Sequence, residues 1–224
     1  MATELIDGVW QFELRGVNAY LVDDDVPTLV DAGTPWDEET LRAGLDEAGV
    51  AVSDIGRVLL THYDLDHVGT LAALAPELDA PIYAGQFDAD ILANRRSPPV
   101  TNHKGAFQRL AGLAVTHPSL AIEPIDDGEA IGTFTAYHTP GHTPGHVAYV
   151  SAELGVGLLG DLVSESEGAL EASGWALSYD TGDVRESIIS LSERSSPFGV
   201  ACIGHGTPIT TDGSDVLETL ARQI

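Results

Sequence analysis

Residues 61–70 read THYDLDHVGT and place His62, Asp64, Asp66 and His67 within six positions. Imidazole nitrogens and carboxylate oxygens are the donors that divalent zinc, iron and manganese take. Four such donors in so short a stretch could make half of a binuclear site. In an extended segment, residues i, i+2 and i+4 face the same way, so His62, Asp64 and Asp66 would point into one pocket. His67 is offset and would reach a second ion if the chain turned into a helix there. Three more candidates lie downstream: His142 within HTPGHTPGH, Asp161 within LLGD and His205 within GHG.

These donors need a frame, and each of them ends or follows an apolar run. The stretches 9–14, 18–23, 28–33 and 57–62 read as strands, separated by Gly or Asp/Pro punctuation. Leu41, Leu45 and Ala48 fall at helical spacing and stop at Gly49. A helix is expected after residue 67, a strand over 81–85 and a helix from there to about Asn94. Strands are expected again over 133–139, 146–151, 156–161 and 199–206, with helices over 183–194 and 213–222. Residues 95–120 and 164–182 show no settled period, and the former allows a short helix after Lys104. Strand ends held by a sheet leave their donor tips free to converge. Alternating sheet and helix in one chain predicts α/β layers.

Four motifs in this order, each after an apolar run, resemble the motif series of the metallo-β-lactamase superfamily over nearly the whole chain. The LVDAG strand end at 29–33 matches as well. The resemblance implies a four-layer αββα sandwich, two mixed sheets flanked by helices, with residues 1–224 as a single domain and a binuclear site on one edge of the sheets. Position by position, it implies that His62, Asp64 and His142 bind a first metal. Asp66, His67 and His205 would bind a second, with Asp161 bridging. Most members carry histidine where Asp64 stands, so the chain is a His-x-Asp-x-Asp-His variant. The extra carboxylate is expected to make the ions weaker Lewis acids. Two divalent ions are implied, zinc first, with iron or manganese as the alternatives toward which oxygen-rich ligation shifts the preference.

The activity implied is that of a hydrolase in which a metal-bridging hydroxide attacks a thioester, lactone or related small acyl substrate. Glyoxalase II-like thioesterases and lactonases are the nearest branches, although the extra C-terminal helical domain of glutathione thioesterases is not evident. Asp66 is the candidate catalytic residue, orienting the nucleophile or moving a proton besides coordinating. His103 and Lys104 are candidate substrate contacts on a flap formed by residues 95–118. Trp175 and Tyr179 either wall the pocket or pack. His138 and His146 are read as structural or supporting, His117 as surface and Cys202 as a core thiol. The alternatives are an iron-dependent redox enzyme of the same fold (persulfide dioxygenase or diiron type), a nuclease, or a metal-binding protein without catalysis.

Composition narrows these classes. The 35 acidic residues against 10 basic ones give a net charge of −25, and Lys104 is the one lysine. That balance fits the acidic shell of a halophile, and it disfavours nucleic acid, which is bound through Lys/Arg stripes. No apolar run reaches the roughly 20 residues of a membrane span, and the N-terminus lacks signal-peptide features. A cytoplasmic protein acting on a small molecule, without a membrane or nucleic-acid partner, is therefore expected.

Overall fold

The computed structural model describes residues 1–100 and 102–224. Seven strands form the first sheet in chain order: β1 (Ala2–Ile6), β2 (Val9–Glu13), β3 (Asn18–Val22), β4 (Thr28–Val30), β5 (Arg57–Leu59), β6 (Ile82–Gly85) and β7 (Ile122–Ile125). Pairing is antiparallel up to β4 and parallel from there on. Parallel neighbours require crossovers, and helices supply them. These are α1 (Glu38–Ala48), the short α2 (Leu65–Val68) and α3 (Leu71–Leu74), then α4 (Gln86–Leu92) and α5 (His103–Ala111). Gly49 ends α1 in the left-handed conformation, with φ 78°, as the sequence stop signal requires.

The second sheet runs β14-β11-β10-β9-β8, from β8 (Ala130–Ile131), β9 (Phe134–His138), β10 (Val147–Ser151), β11 (Val156–Gly160) and β14 (Val200–Ile203). Only β11 and β14 pair in parallel. Their connection holds the hairpin β12 (Val163–Ser166) and β13 (Ala169–Ala172), followed by α6 (Thr181–Arg194). Helix α7 (Gly213–Ala221) closes the chain.

Alternation along the strands divides the interior into three apolar layers. Leu21, Val58 and Leu60 face α1, α3 and α4 with Leu41, Leu45, Leu71 and Leu74. Tyr20, Val22 and Leu59 face the other sheet, meeting Phe134, Tyr149, Leu158 and Cys202. Ala148, Val150, Ala201 and Ile203 face α6 and α7 through Val184, Ile188, Leu191 and Leu217. Helix, sheet, sheet, helix is the four-layer arrangement expected. Because both faces of each sheet are covered, the inner strands read as continuous apolar runs.

The departures from expectation lie at the margins. Strands β1 and β7 are the two edges of the first sheet, largely exposed, and β7 contains Pro124, which an edge tolerates. Residues 163–172 form a hairpin within a stretch that reads as irregular. No helix among the described residues is long and apolar enough to cross a membrane.

Candidate metal centre

The C-terminal ends of β5, β11 and β14 and the turn between β9 and β10 meet at one edge of the two sheets. Backbone bonds fasten this edge: Val147 N–H donates to Thr61 O at 2.8 Å and Asn18 N–H to Gly204 O at 2.8 Å. Beyond Leu59 the chain stays extended only as far as Asp64, whose φ and ψ are −134° and 157°. Helix α2 begins at Leu65, so Asp66 and His67 are presented by its first turn rather than by strand alternation. That turn splits the motif in two. His62 and Asp64 group with His142, Asp66 and His67 group with His205, and Asp161 joins His62 and His67 between them.

The donor spacings suit coordination. Asp64 Oδ2 lies 3.3 Å from His62 Nε2 and 3.1 Å from His142 Nε2. Asp161 Oδ2 lies 3.2 Å from His205 Nε2 and 3.5 Å from His142 Nε2, and its Oδ1 is 3.4 Å from His67 Nε2. Asp66 Oδ2 is 3.4 Å from His205 Nε2. Donors held about 2.0–2.1 Å from a tetrahedral ion sit about 3.3 Å apart, so these are coordination edges. Three of the atoms, His62 Nε2, His67 Nε2 and Asp161 Oδ1, are buried without any hydrogen-bond partner. Buried polar atoms are rarely left so, and a cation between them satisfies all three. The residues present therefore fit metal.

The remaining ring nitrogens are all engaged, which turns every Nε2 toward the centre. His67 Nδ1 meets Asp31 Oδ2 at 2.9 Å, and His62 Nδ1 meets Thr61 Oγ1 at 3.0 Å. His142 Nδ1 meets Ser173 Oγ at 3.0 Å, and His205 Nδ1 donates to Gly16 O at 2.6 Å. Asp31 also accepts from Thr61 N–H and Thr61 Oγ1. It holds a left-handed φ of 55°, a conformation unusual outside glycine. Sequence reasoning passed over these supports; the LVDAG match was the one available signal, and it pointed at Asp31. His146 stays outside the donor groups. Its Nδ1 meets Thr139 Oγ1, its ring lies 5.3 Å from that of His62, and its buried Nε2 also has no hydrogen-bond partner. His138 is exposed and bonds Pro144 O, and Cys202 is fully buried.

The pocket stabilises positive charge. Burial alone would lower His67, but Asp161 and Asp31 outweigh it and hold this imidazole well above its usual range. His205 is pushed up to about 10: burial opposes, and hydrogen bonds to Asp161 and Asp66 prevail. His142 goes the other way, down to about 4, chiefly through burial. Burial would raise Asp161, yet His67 and His205 hold it well below the ordinary carboxylate range.

Lys104 and Gln108 bring in α5. One turn apart, they lie on the same face of the helix. Lys104 Nζ is 2.5 Å from Asp64 Oδ2, and Gln108 Nε2 donates to Asp64 Oδ1 at 3.0 Å. Lys104, the expected substrate-contacting lysine, borders the cleft but is 4% exposed, with its ammonium paired to Asp64. The expected flap is likewise corrected in part: its second half is α5, tied down by Asn102 Nδ2 to Tyr179 O and Tyr179 Oη to Gln108 Oε1. His103 is exposed and stacked on Trp175, with ring centroids 4.3 Å apart. The two aperiodic segments thus make one wall. Beside it, a cleft of roughly 400 Å³ opens over the donors, with Leu65, Phe107 and Leu177 on its apolar side.

Asp88 was not foreseen either. Its buried carboxylate accepts from Tyr63 N–H and Thr143 Oγ1 and so joins the two ligand loops. Burial pushes it up from 3.8 to about 6. The fold thus holds this proton more tightly than the unfolded chain, and its contribution is lost as pH rises from about 4 through 6. Two pKa units correspond to about 3 kcal/mol. Metal-free Asp88→Asn should therefore gain about that much on the native protein between pH 4 and 7. Denaturant titrations of the two that run parallel across this window would exclude an ionising Asp88.

The Lactamase_B model, described as the metallo-beta-lactamase superfamily, matches residues 13–205. The chain belongs to the metallo-beta-lactamase superfamily. YobT of Bacillus subtilis (strain 168) is 31% identical, over 88% of each chain. The "Probable metallo-hydrolase YqjP" of the same organism is 28% identical, over 89% of this chain and 70% of its own. The metallo-beta-lactamase family protein TTHA1429 of Thermus thermophilus superposes with a TM-score of 0.75 at 25% identity, covering 98% of this chain and 80% of that one. TTHA1623, solved in a di-iron-bound form, gives 0.69 at 29% identity, covering 91% and 95%. The fold and the existence of His/Asp groups able to hold metal accord with this membership.

Proposed function

We propose that the protein is a metal-dependent hydrolase of small acyl compounds, of the thioesterase or lactonase kind. The observation that carries this is the set of buried, partnerless Nε2 and carboxylate atoms converging beneath an apolar-sided cleft. In this reading His62, Asp64 and His142 hold a first divalent ion, Asp66, His67 and His205 a second, and Asp161 is shared. Zinc is the expected ion. Bound there, such ions supply a nucleophile from water near neutral pH and polarise the substrate carbonyl. The chain's own residues do the rest. Nδ1 partners fix the histidines, and Asp161 draws both groups to one point. Asp66 is only half-buried and lines the cleft, so besides holding the ion its carboxylate can orient the attacking water. Leu65, Phe107 and Leu177 exclude water from the acyl portion and favour an apolar one.

A second reading, an iron-dependent redox enzyme, draws support from the relative solved with two irons and from the carboxylate-rich donor set. A panel of thioesters, lactones and β-lactams, run in high salt on protein of known metal content, tests the first reading. Oxygen consumption by the iron-loaded protein tests the second. Turnover of a thioester or lactone with no oxygen uptake is expected, and oxygen uptake without hydrolysis of any ester would reverse the order.

The −25 charge adds a condition. Screening relieves self-repulsion as the Debye length falls from about 10 Å at 0.1 M salt to about 3 Å at 1 M. The melting temperature should rise by roughly 5–10 °C between dilute buffer and molar potassium chloride. A flat or falling series would rule out haloadaptation.

A further inference from the structure

The one lysine of a chain with 35 acidic residues is spent inside the metal centre, where it is 4% exposed. Its ammonium nitrogen lies 2.5 Å from Asp64 Oδ2 and 3.3 Å from His142 Nε2. Those are the lone pairs a first metal ion would take, since His142 Nδ1 is already engaged by Ser173 Oγ. Asp64 and His142 are themselves 3.1 Å apart. An ion bonded to both atoms at about 2.1 Å would therefore sit within about 4 Å of Nζ, whichever side it approached from. An ammonium and a divalent ion that close repel in a desolvated pocket. The second donor group, Asp66, His67 and His205 with Asp161, has no such competitor among the described residues.

Asp64 and Lys104 are also balanced as a pair. Together they carry no net charge, as a neutral histidine would at the same place. Gln108 holds the other carboxylate oxygen, so Asp64 is fixed from α5 before any ion arrives. We propose that Lys104 is an internal cation standing at the first metal position, so that the protein retains one ion firmly at Asp66, His67, His205 and Asp161 and admits another only by displacing the ammonium. The inference rests on the reading that these donors hold metal. It makes Lys104 a positioning residue that sets metal stoichiometry.

The test uses zinc ions and has two arms. In the first, metal-free native protein and Lys104→Met are titrated with zinc against a competing chelator, and bound metal is counted after desalting. The native chain should keep about one ion, and Lys104→Met about two, with the weaker site tightened at least about tenfold. In the second, the native protein is treated with an acetylating reagent at increasing zinc. As the sole ε-amine in the chain, Lys104 gives one peptide signal. Its acetylation should stay low through the first equivalent and rise with the second. Should Lys104→Met fail to fold, the acetylation arm decides alone. Two firmly held ions in the native protein, with Lys104 protected throughout, would overturn the inference and leave the metal reading standing. Failure of both proteins to bind zinc at all would overturn both.

Discussion

An Asp161→Asn protein is expected to fold, to lose most of its bound metal and to lose about 10³-fold or more in hydrolysis, near 4 kcal/mol of barrier. The amide matches the carboxylate in shape, so packing around a buried side chain is kept. What goes is charge, and with it one acceptor. Asp161 is within 4.0 Å of the Nε2 atoms of His62, His142 and His205 through Oδ2, and 3.4 Å from that of His67 through Oδ1. No other side chain among the described residues reaches all four histidines. Gly204→Ala offers an independent route to the same result without altering a donor. A methyl there would overlap Asp161 Oδ1 and crowd His67, forcing the carboxylate aside. Elemental analysis with circular dichroism separates loss of metal from loss of fold. Full metal content in Asp161→Asn would remove Asp161 from the centre.

What could be read from sequence and what could not divide along physical lines. Apolar strands covered on both faces announce themselves, so Val58–Leu60, Val147–Val150 and Val200–Ile203 were legible. So were the donors at their ends, because a strand end needs no long-range information to present a side chain. Asp66 reached its expected group by another route, a helical turn that alternation does not describe. The supporting contacts were hidden because they are non-local: Ser173 meets His142 across 31 residues and Gln108 meets Asp64 across 44. Helix α5 was obscured by Pro98, Pro99 and Gly105. Gly105 is there for close approach, since a Cβ would strike Pro99 O and the Tyr179 hydroxyl. Lys104 could not be foreseen in its role. A lone lysine in an irregular stretch reads as a substrate contact until the helix aims it inward.

Asp64→Ala is expected to cost more stability than the loss of one ligand explains. It strands Lys104 as a buried ammonium whose remaining partner is His142 Nε2, 3.3 Å away, and Gln108 loses an acceptor while keeping Tyr63 O. Breaking one side of a buried pair costs about 3–5 kcal/mol, whereas removing both sides costs far less. The metal-free Asp64→Ala protein should therefore melt roughly 6–20 °C below the native one, and adding Lys104→Met should recover a large part of that loss. A coupling of about 2 kcal/mol or more in the four-member cycle is the expected signature. The same reasoning corrects the expectation that Asp64 leaves the centre with surplus negative charge. The lysine offsets it, so Asp64 and Lys104 together carry no net charge. Asp64→His alone should then set an unpaired ammonium beside the first position and hold less metal there than Asp64→His with Lys104→Met. Additive melting temperatures through the cycle, with equal zinc content in both histidine variants, would show that the two residues act separately.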